Sequence, residues 1–319
     1  MEKTLNYIVE YALKNQCSDI HLDFKDDCTD VYFRKQGSFN KDDSLSLNNI
    51  SQLYNYIIFK ANLDILDKNI LHTGTISFEY KNKIIYLRIS IIPTFDNKSI
   101  VIRLLNNNKR VNLDNISLIK ENIDTLKSIQ ELKSGLVLFC GKTGSGKTTT
   151  LYSIINMIQE RTNKKIITLE DPIETKLKNV LQISINHDTL TFFDVFKQVL
   201  RHDPDIIVIG EIRDSKDLQL VVQAVLSGHL VLSSMHAMSA QYAINRLLDL
   251  NINKHDLKAS LRLIAYQELI FTNTNAYALY EFLDENILEQ ILNKKKVKYK
   301  TIDEYKQSIR KRIDFNEGK

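Results

Sequence analysis

Residues 141–148 read Gly-Lys-Thr-Gly-Ser-Gly-Lys-Thr and match the pattern G-x-x-x-x-G-K-[ST]. The stretch follows the apolar run Leu136–Cys140 and precedes a helical pattern over Thr148–Gln159. Glycines let the backbone N–H groups of such a loop turn toward phosphate oxygens, and the start of the following helix adds positive potential. A chance match is rare in a chain with nine glycines. The stretch therefore predicts a phosphate-binding loop between a buried strand and a helix.

Two side chains of this loop carry specific expectations. We expect Lys147 to reach the β- and γ-phosphates of ATP, and the Thr148 hydroxyl to bind Mg²⁺. The predicted nucleotide-binding set is Gly141, Thr143, Gly144, Ser145, Gly146, Lys147, Thr148 and Thr149.

Strand and helix patterns alternate after the loop. Strands are predicted at Lys165–Leu169, Ile206–Ile209 and Leu230–Ser234, and helices at Leu190–Leu200, Leu218–Leu226 and Ala240–Leu250. Apolar strand cores that alternate with helices predict an α/β domain with a largely parallel sheet covered on both faces. From Glu285 onward the pattern predicts a charged, helical tail. The simplest interpretation of Lys294, Lys295 and Lys296 is that they form a solvent-exposed face of this tail.

The first third of the chain has a different pattern. Residues 2–16 place Leu5, Ile8, Val9, Ala12 and Leu13 on one helical face, and a second helix is predicted over Ile50–Ala61. Strands are predicted at Asp19–Leu22, Val31–Lys35, Ile85–Ile91 and Ile100–Leu104, with a turn at Pro93–Lys98 between the last two. These elements predict a small α+β domain over residues 1–108. The polar run 106–110 separates it from a second domain over residues 109–319.

Composition limits the class of protein. The chain has 319 residues, of which 43% are hydrophobic and 26% charged, the balance of a globular protein. Its net charge of +4 falls short of a nucleic-acid-binding footprint, so we expect no direct nucleic-acid contact. Cys17, Cys28 and Cys140 are widely spaced, which argues against disulfides and against a zinc site. No signal-peptide pattern or apolar run of membrane-spanning length is present, so we expect a cytoplasmic protein.

A second motif places an acid near the loop. The apolar strand Ile206–Ile209 is followed by Gly210 and Glu211, the form of a Walker B strand that delivers a carboxylate beside the metal. Taken alone, this is an ordinary core strand with a polar end. After a phosphate-binding loop in an α/β pattern, the better interpretation is that Glu211 acts on Mg²⁺, partly through water.

Four further stretches together resemble one family, the type II secretion and type IV pilus ATPase superfamily. Residues 169–174 (LEDPIE) resemble its acidic box, 228–236 (GHLVLSSMH) its histidine box, 201–214 (RHDPDIIVIGEIRD) its Walker B region, and 18–21 (SDIH) a signature of its N-terminal domain. They occur in family order and extend the resemblance to about residue 270. The resemblance implies a RecA-like P-loop domain that follows a smaller PAS-like α+β domain.

The resemblance also implies roles for individual residues. Glu170 would orient or deprotonate the attacking water, while His229 and His236 would lie beside the γ-phosphate. Arg88 and Arg103 match arginines that reach nucleotide from the N-terminal domain. From the residues alone, the two histidines are better explained as strand-end core or surface positions, and the plain explanation of the two arginines is a solvated sheet face.

What the family does gives the functional expectation. Its members hydrolyse ATP with Mg²⁺ as homo-hexameric rings and act on a polytopic membrane platform protein to assemble filaments, so we expect this chain at the inner face of the cell membrane. The four-cysteine zinc module of many assembly ATPases is absent, as is the retraction motif Ala-Ile-Arg-Asn-Leu-Ile. The combination is most similar to the ATPase of the competence pseudopilus, a DNA-uptake filament.

Two departures from the family pattern leave alternatives open. Ala237 stands where Thr is usual, and residues 266–269 (YQEL) carry an acid where the family has Arg. A retraction motor with the same chemistry is one alternative. A nucleotide-switched scaffold without catalysis is another.

Overall fold

The computed structural model describes residues 1–25, 28–35, 38–42, 50–61, 63, 72–94, 98–105, 111–171, 173–185, 192–272 and 275–310. The chain forms two compact units, Met1–Lys109 and Arg110–Lys319. The polar run 106–110, the centre of the predicted turn at Pro93–Lys98 and the first two residues of the helix predicted at Leu190–Leu200 lie outside the described residues. Within the described residues, no helix is long and apolar enough to cross a membrane.

Over its described residues, the first unit is a six-stranded antiparallel sheet with two helices. The strand order is β3-β2-β1-β6-β5-β4. The elements are α1 Glu2–Lys14, β1 Asp19–Phe24, β2 Thr29–Lys35, β3 Ser38–Lys41, α2 Ile50–Lys60, β4 His72–Tyr80, β5 Lys83–Pro93 and β6 Lys98–Leu105.

The apolar residues that were predicted to share one face of a helix or strand form the core of this unit. All five apolar residues predicted for one face of α1 are buried. They belong to one cluster with four residues of the inner sheet face, Leu87, Ile89, Ile100 and Ile102. The polar residues between them face outward, because side chains alternate along a strand. β3 was not predicted, since all four of its residues are exposed and give no alternation.

The second unit contains the phosphate-binding loop. Short 3₁₀ turns occur at Leu113–Asn115 and Ile129–Glu131. The other elements are α3 Lys120–Ser128, β7 Gly135–Cys140, α4 Lys147–Arg161, β8 Ile166–Glu170, β9 Leu181–Ser184, α5 Phe192–Arg201, β10 Ile206–Ile209, α6 Ser215–Leu226, β11 Leu230–Met235, α7 Ala240–Asp249, α8 Lys254–Ser260, β12 Leu261–Phe271, β13 Ala276–Asp284, α9 Glu285–Leu292 and α10 Ile302–Arg310.

The sheet of this unit has the order β13-β12-β7-β11-β10-β8-β9. Every neighbouring pair is parallel except β12 and β13. Alternate residues of β7 enter two different core clusters: Leu136 and Leu138 join one, and Val137 and Phe139 the other. The predicted α/β class, with a parallel sheet covered on both faces, is confirmed.

The hairpin of β12 and β13 was not predicted. Leu261–Phe271 is apolar over most of its length, a pattern that does not separate a buried strand from a buried helix. The structure adds this strand directly beside β7, where Tyr266 pairs with Cys140. The hairpin therefore borders the phosphate-binding loop, and the helical tail begins only after it.

Phe139→Ala tests how far the second unit depends on its central strand. Phe139 is 0% exposed on β7, so we expect the free energy of unfolding to fall by about 3–5 kcal/mol, as lost burial adds to a cavity. Phe271→Ala is the matched control, because Phe271 lies on β12 of the same sheet and is 43% exposed. Denaturant unfolding followed by circular dichroism measures both. Equal losses in the two variants would contradict this account of the core.

Candidate nucleotide-binding and hydrolysis site

The loop between β7 and α4 is shaped by its glycines. Gly146 has φ +85° and immediately precedes Lys147, the first residue of α4. A Cβ on Gly141 would lie 2.5 Å from the Ser145 Oγ, so a larger residue there would force the loop apart. Gly146, the residue before α4, has no side chain that could cap the helix. The first amide groups of the helix can therefore serve an anion.

Lys147 is buried within the loop. Its Nζ donates to the carbonyl oxygens of Gly141 at 2.9 Å and Lys142 at 3.0 Å, and the residue is 9% exposed. Burial lowers the pKa of Lys147, and the nearby charge of Glu211 only partly offsets this. Holding the charged ammonium at this buried position therefore costs free energy, which the negative charge of a bound phosphate would offset.

The remaining loop residues fit a phosphate ligand. The Ser145 Oγ is buried, with no hydrogen-bond partner among the described residues. Thr143, Gly144 and Thr149 are exposed, and Thr148 is half-buried at the start of α4. An unpaired hydroxyl, an uncapped helix start and a buried ammonium match the oxygens of a nucleoside triphosphate and its Mg²⁺.

Three predicted acidic and histidine residues lie at the same edge of the sheet as the loop. Glu170 ends β8, Glu211 follows β10 and His236 follows β11, and the carboxyl ends of these parallel strands align with that of β7. The His236 Nε2 lies 3.2 Å from the Glu211 Oε1, and the Arg213 Nε lies 3.7 Å from the Glu211 Oε2. The fold brings Glu170, Glu211 and His236 to one edge of the sheet, and their roles remain predictions.

Glu170 is buried and held by three hydrogen bonds. It is 6% exposed, and its carboxylate accepts from Thr168 Oγ1 at 2.5 Å, from Gln182 Nε2 at 3.1 Å and from the Tyr152 hydroxyl. Burial raises the pKa of Tyr152, and the neighbouring Glu170 raises it further, so Tyr152 remains a donor. Since Tyr152 lies on α4, Glu170 is bonded directly to the helix that begins at the phosphate loop.

His229 lies elsewhere. It directly precedes β11, and its backbone oxygen accepts from the amide of Gly135, the first residue of β7. Its Nδ1 lies 3.1 Å from the backbone oxygen of Ala224. At roughly 3.3 Å per residue along β11, this is about 20 Å from the loop edge. The expectation that both histidines flank one γ-phosphate is therefore corrected for this unit: His236 lies at the loop edge, and His229 lies at the opposite end of the strand.

Arg88 and Arg103 lie in the first unit, directly opposite each other on β5 and β6. The Arg103 Nε donates to the Asp19 Oδ1 at 2.7 Å, and the Ser18 Oγ donates to the Asp19 Oδ2 at 2.8 Å. Burial opposes the ionisation of Asp19, but the bonds from Arg103 and Ser18 hold its pKa below the ordinary value. The signature at residues 18–21 thus holds one of the two predicted arginines.

Several residues at the site were missed from the sequence. Arg213 bridges Glu211 and Asp171, the latter at 3.0 Å. The Arg246 Nη1 donates to the His236 backbone oxygen at 2.6 Å. Tyr152 was within the predicted helix, but nothing in its spacing singled it out. Gln267 appeared only as part of a departure from the family pattern.

A phosphate loop at the carboxyl edge of a parallel sheet, with acids ending the neighbouring strands, makes the second unit a RecA-like P-loop nucleoside triphosphatase domain. The family model described as Type II/IV secretion system protein matches residues 1–313. The chain belongs to this family of secretion and pilus motor ATPases.

Individual relatives agree with this assignment. Competence protein ComGA of Bacillus subtilis (strain 168) is 32% identical over 337 aligned residues, which cover 98% of this chain and 94% of that protein. Type II secretion system ATPase E of Vibrio cholerae is 33% identical over 272 residues, 85% of this chain but 54% of that protein. The chain thus spans about half the length of this secretion relative.

A solved structure shows the same fold. The crystal structure of the pilus retraction motor PilT with bound ADP superposes with a TM-score of 0.74 at 26% identity, covering 91% of this chain and 87% of that one. The RecA-like domain with a smaller N-terminal α+β domain, expected from the motifs, is confirmed.

Lys147→Met tests the assignment of the buried ammonium. Because burial disfavours the charged lysine, we expect nucleotide-free protein to unfold at the same temperature as wild type or higher. We expect stabilisation by Mg-ADP to be lost, whereas at 100 times Kd it amounts to about 2.7 kcal/mol in a binding-competent protein. Thermal unfolding with and without Mg-ADP measures both effects.

Lys164→Met is the matched control for this test. Lys164 follows α4 at its far end and donates to the Gln130 backbone oxygen at 3.0 Å. It should keep the full response to nucleotide. A Lys147→Met protein that still gained stability from Mg-ADP would refute the assignment.

Proposed function

We propose that this chain is a Mg²⁺-dependent ATPase that powers assembly of a pilus-like filament, specifically the pseudopilus of a DNA-uptake system. The observation that carries the chemistry is the hydrogen bond from Tyr152, on the phosphate-loop helix, to the buried carboxylate of Glu170. It connects a phosphate-binding element to a carboxylate suited to water activation. The mechanical output is supported by the match to a competence protein over nearly the whole of both chains.

The loop and α4 would bind the triphosphate. Backbone amides of the loop and the Lys147 ammonium contact phosphate oxygens, and the Ser145 hydroxyl gains a partner. The Thr148 hydroxyl and Glu211, the latter partly through water, would hold Mg²⁺. When bound, the ion neutralises charge on the β- and γ-phosphate oxygens.

Glu170 would orient the attacking water and accept its proton. Phosphoryl transfer needs a positioned acceptor more than covalent help, and three hydrogen bonds fix the carboxylate. His236 would report the state of the site to β11, because it contacts Glu211 and follows that strand directly. Arg213 contacts the other oxygen of the same carboxylate, with its Nε 3.7 Å from the Glu211 Oε2.

The first unit would contribute Arg88 and Arg103 to the transferring phosphoryl group. Four charged residues lie in register across four adjacent strands. They are Arg34 on β2, Asp19 on β1, Arg103 on β6 and Arg88 on β5. Like charges directly opposite each other, as at Arg88 and Arg103, destabilise a sheet. A bound anion would relieve that repulsion, which supports a nucleotide-contacting role.

The working form would be a homo-hexameric ring at the inner face of the cell membrane. Closure around ATP and opening after hydrolysis would move the N-terminal domains as levers. The motion would pass to a polytopic membrane platform protein that adds pilin subunits to the filament. No nucleic-acid contact and no zinc are part of this proposal.

Glu170→Gln tests the catalytic assignment. The amide cannot accept a proton, so we expect kcat for ATP hydrolysis to fall by about 100-fold or more, with the Kd for ADP changed by less than about threefold. Glu160→Gln, an exposed glutamate on α4, is the control and should match wild type. Phosphate release and equilibrium ADP binding give the two quantities. Full activity in Glu170→Gln would exclude Glu170 as the base.

Deletion of the gene decides between assembly and retraction. Retraction is the alternative output, because the solved structure of the retraction motor PilT has a similar fold. We expect filaments to disappear in the deletion strain, as counted by electron microscopy, and to return with the wild-type gene. Accumulation of filaments would establish a retraction motor instead. Complementation by Glu211→Gln to wild-type filament numbers would favour the non-catalytic scaffold.

A further inference from the structure

Gln267 lies beside both ends of the phosphate loop. It follows Tyr266 on β12, and Tyr266 pairs with Cys140, the last residue of β7. The Gln267 backbone oxygen would be 2.6 Å from a Cβ on Gly141, and its Nε2 would be 3.0 Å from a Cβ on Gly146. The residue is 1% exposed. It therefore packs against the first and the last glycine of the loop.

The side chain of Gln267 also bonds to the loop and to α4. Its Nε2 donates to the Ser145 backbone oxygen at 2.5 Å. Its Oε1 accepts from the Thr150 Oγ1 at 2.8 Å, and the same hydroxyl lies 2.8 Å from the buried Tyr280 hydroxyl on β13. The β12–β13 hairpin thus contacts the loop and α4 through the side-chain amide of Gln267. Both hydrogen bonds of that amide are buried.

These contacts fix the direction of one peptide group. The Ser145 carbonyl and the Gly146 N–H belong to one planar trans peptide group and point in opposite directions. With the carbonyl held toward Gln267, the Gly146 N–H therefore points away from Gln267. Backbone N–H groups that point into the loop are the donors for phosphate. Loss of the amide donor would leave a buried carbonyl unpaired, and the loop would reorient to satisfy it.

We propose that Gln267 is a positioning residue for the phosphate loop, setting its affinity for nucleotide through the Ser145 carbonyl and Thr150. The inference rests on the proposed nucleotide-binding function of the same site. Gln267 touches the loop backbone and does not take part in the chemistry. Its removal should therefore weaken nucleotide binding without slowing hydrolysis at saturation.

Gln267→Met is the direct test, because methionine keeps the volume and removes both hydrogen bonds. We expect the Kd for Mg-ADP and the KM for ATP to rise by about tenfold, the effect of one unpaired buried acceptor. We expect kcat to stay within about threefold of wild type. Gln159→Met is the matched control, since the Gln159 Nε2 also donates to a backbone oxygen, that of Lys164 at 2.8 Å, at the far end of α4. It should leave all three quantities unchanged.

Thr150 provides a second test that leaves Gln267 in place. Thr150→Val removes the hydroxyl that holds the Gln267 Oε1, and we expect a smaller rise in Kd for Mg-ADP, about threefold. Thr150→Ser keeps the hydroxyl and should restore wild-type binding. This pair keeps the proposal testable if Gln267→Met does not fold.

The outcomes separate this inference from the proposed function. Wild-type Kd in Gln267→Met, or a fall in kcat with KM unchanged, would overturn the positioning role. So would equal Kd values for Thr150→Val and Thr150→Ser. Equilibrium binding of Mg-ADP does not require turnover. Wild-type protein that binds nucleotide without hydrolysing it would therefore contradict the ATPase proposal and leave the role of Gln267 standing.

Discussion

The conformation of the phosphate loop is the constraint on which the candidate site of the second unit depends. Its backbone passes through left-handed conformations at Gly144 and Gly146 and encloses the ammonium of Lys147. Burial of that charge and the uncapped start of α4 both cost free energy in the nucleotide-free protein. The loop keeps this arrangement because β7 before it and α4 after it are packed into the core, with Phe139 and Ile154 completely buried.

Helix α4 connects two networks with different tasks. Near its start, Thr150 meets Gln267 and the β12–β13 hairpin; two residues later, Tyr152 meets Glu170 at the end of β8. The first network contacts the phosphate loop, and the second fixes the carboxylate that is proposed to activate water. A displacement of α4 would therefore alter both networks. Glu268, the residue after Gln267, is also bound by Lys306 of α10 at 2.9 Å, so the C-terminal helix is tied to the same strand.

The first unit uses one sheet for two purposes. Its inner face is apolar and packs on the two helices, while its outer face carries a row of charges in register across four strands. Asp19 pairs with Arg103 and leaves Arg88 facing a like charge across the strand pair. Asp19 lies between Arg34 and Arg103 in this row, so Arg88 and Arg103 form its one directly opposed like-charge pair. That pair is unfavourable for the sheet.

The phosphate loop, the parallel sheet around it and the acid Glu211 could be predicted from local patterns, because a glycine motif between a strand and a helix, and an acid after an apolar strand, are read within a few residues. Glu170 and His236 were singled out only by the resemblance to the ATPase superfamily. The separation of His229 from His236 could also be predicted, since the strand predicted at Leu230–Ser234 lies between them. Only the folded chain shows that Gln267 meets Ser145, because β12 pairs with β7 across more than a hundred intervening residues. Spacing along a chain carries periodicity but no information on which distant strands become neighbours.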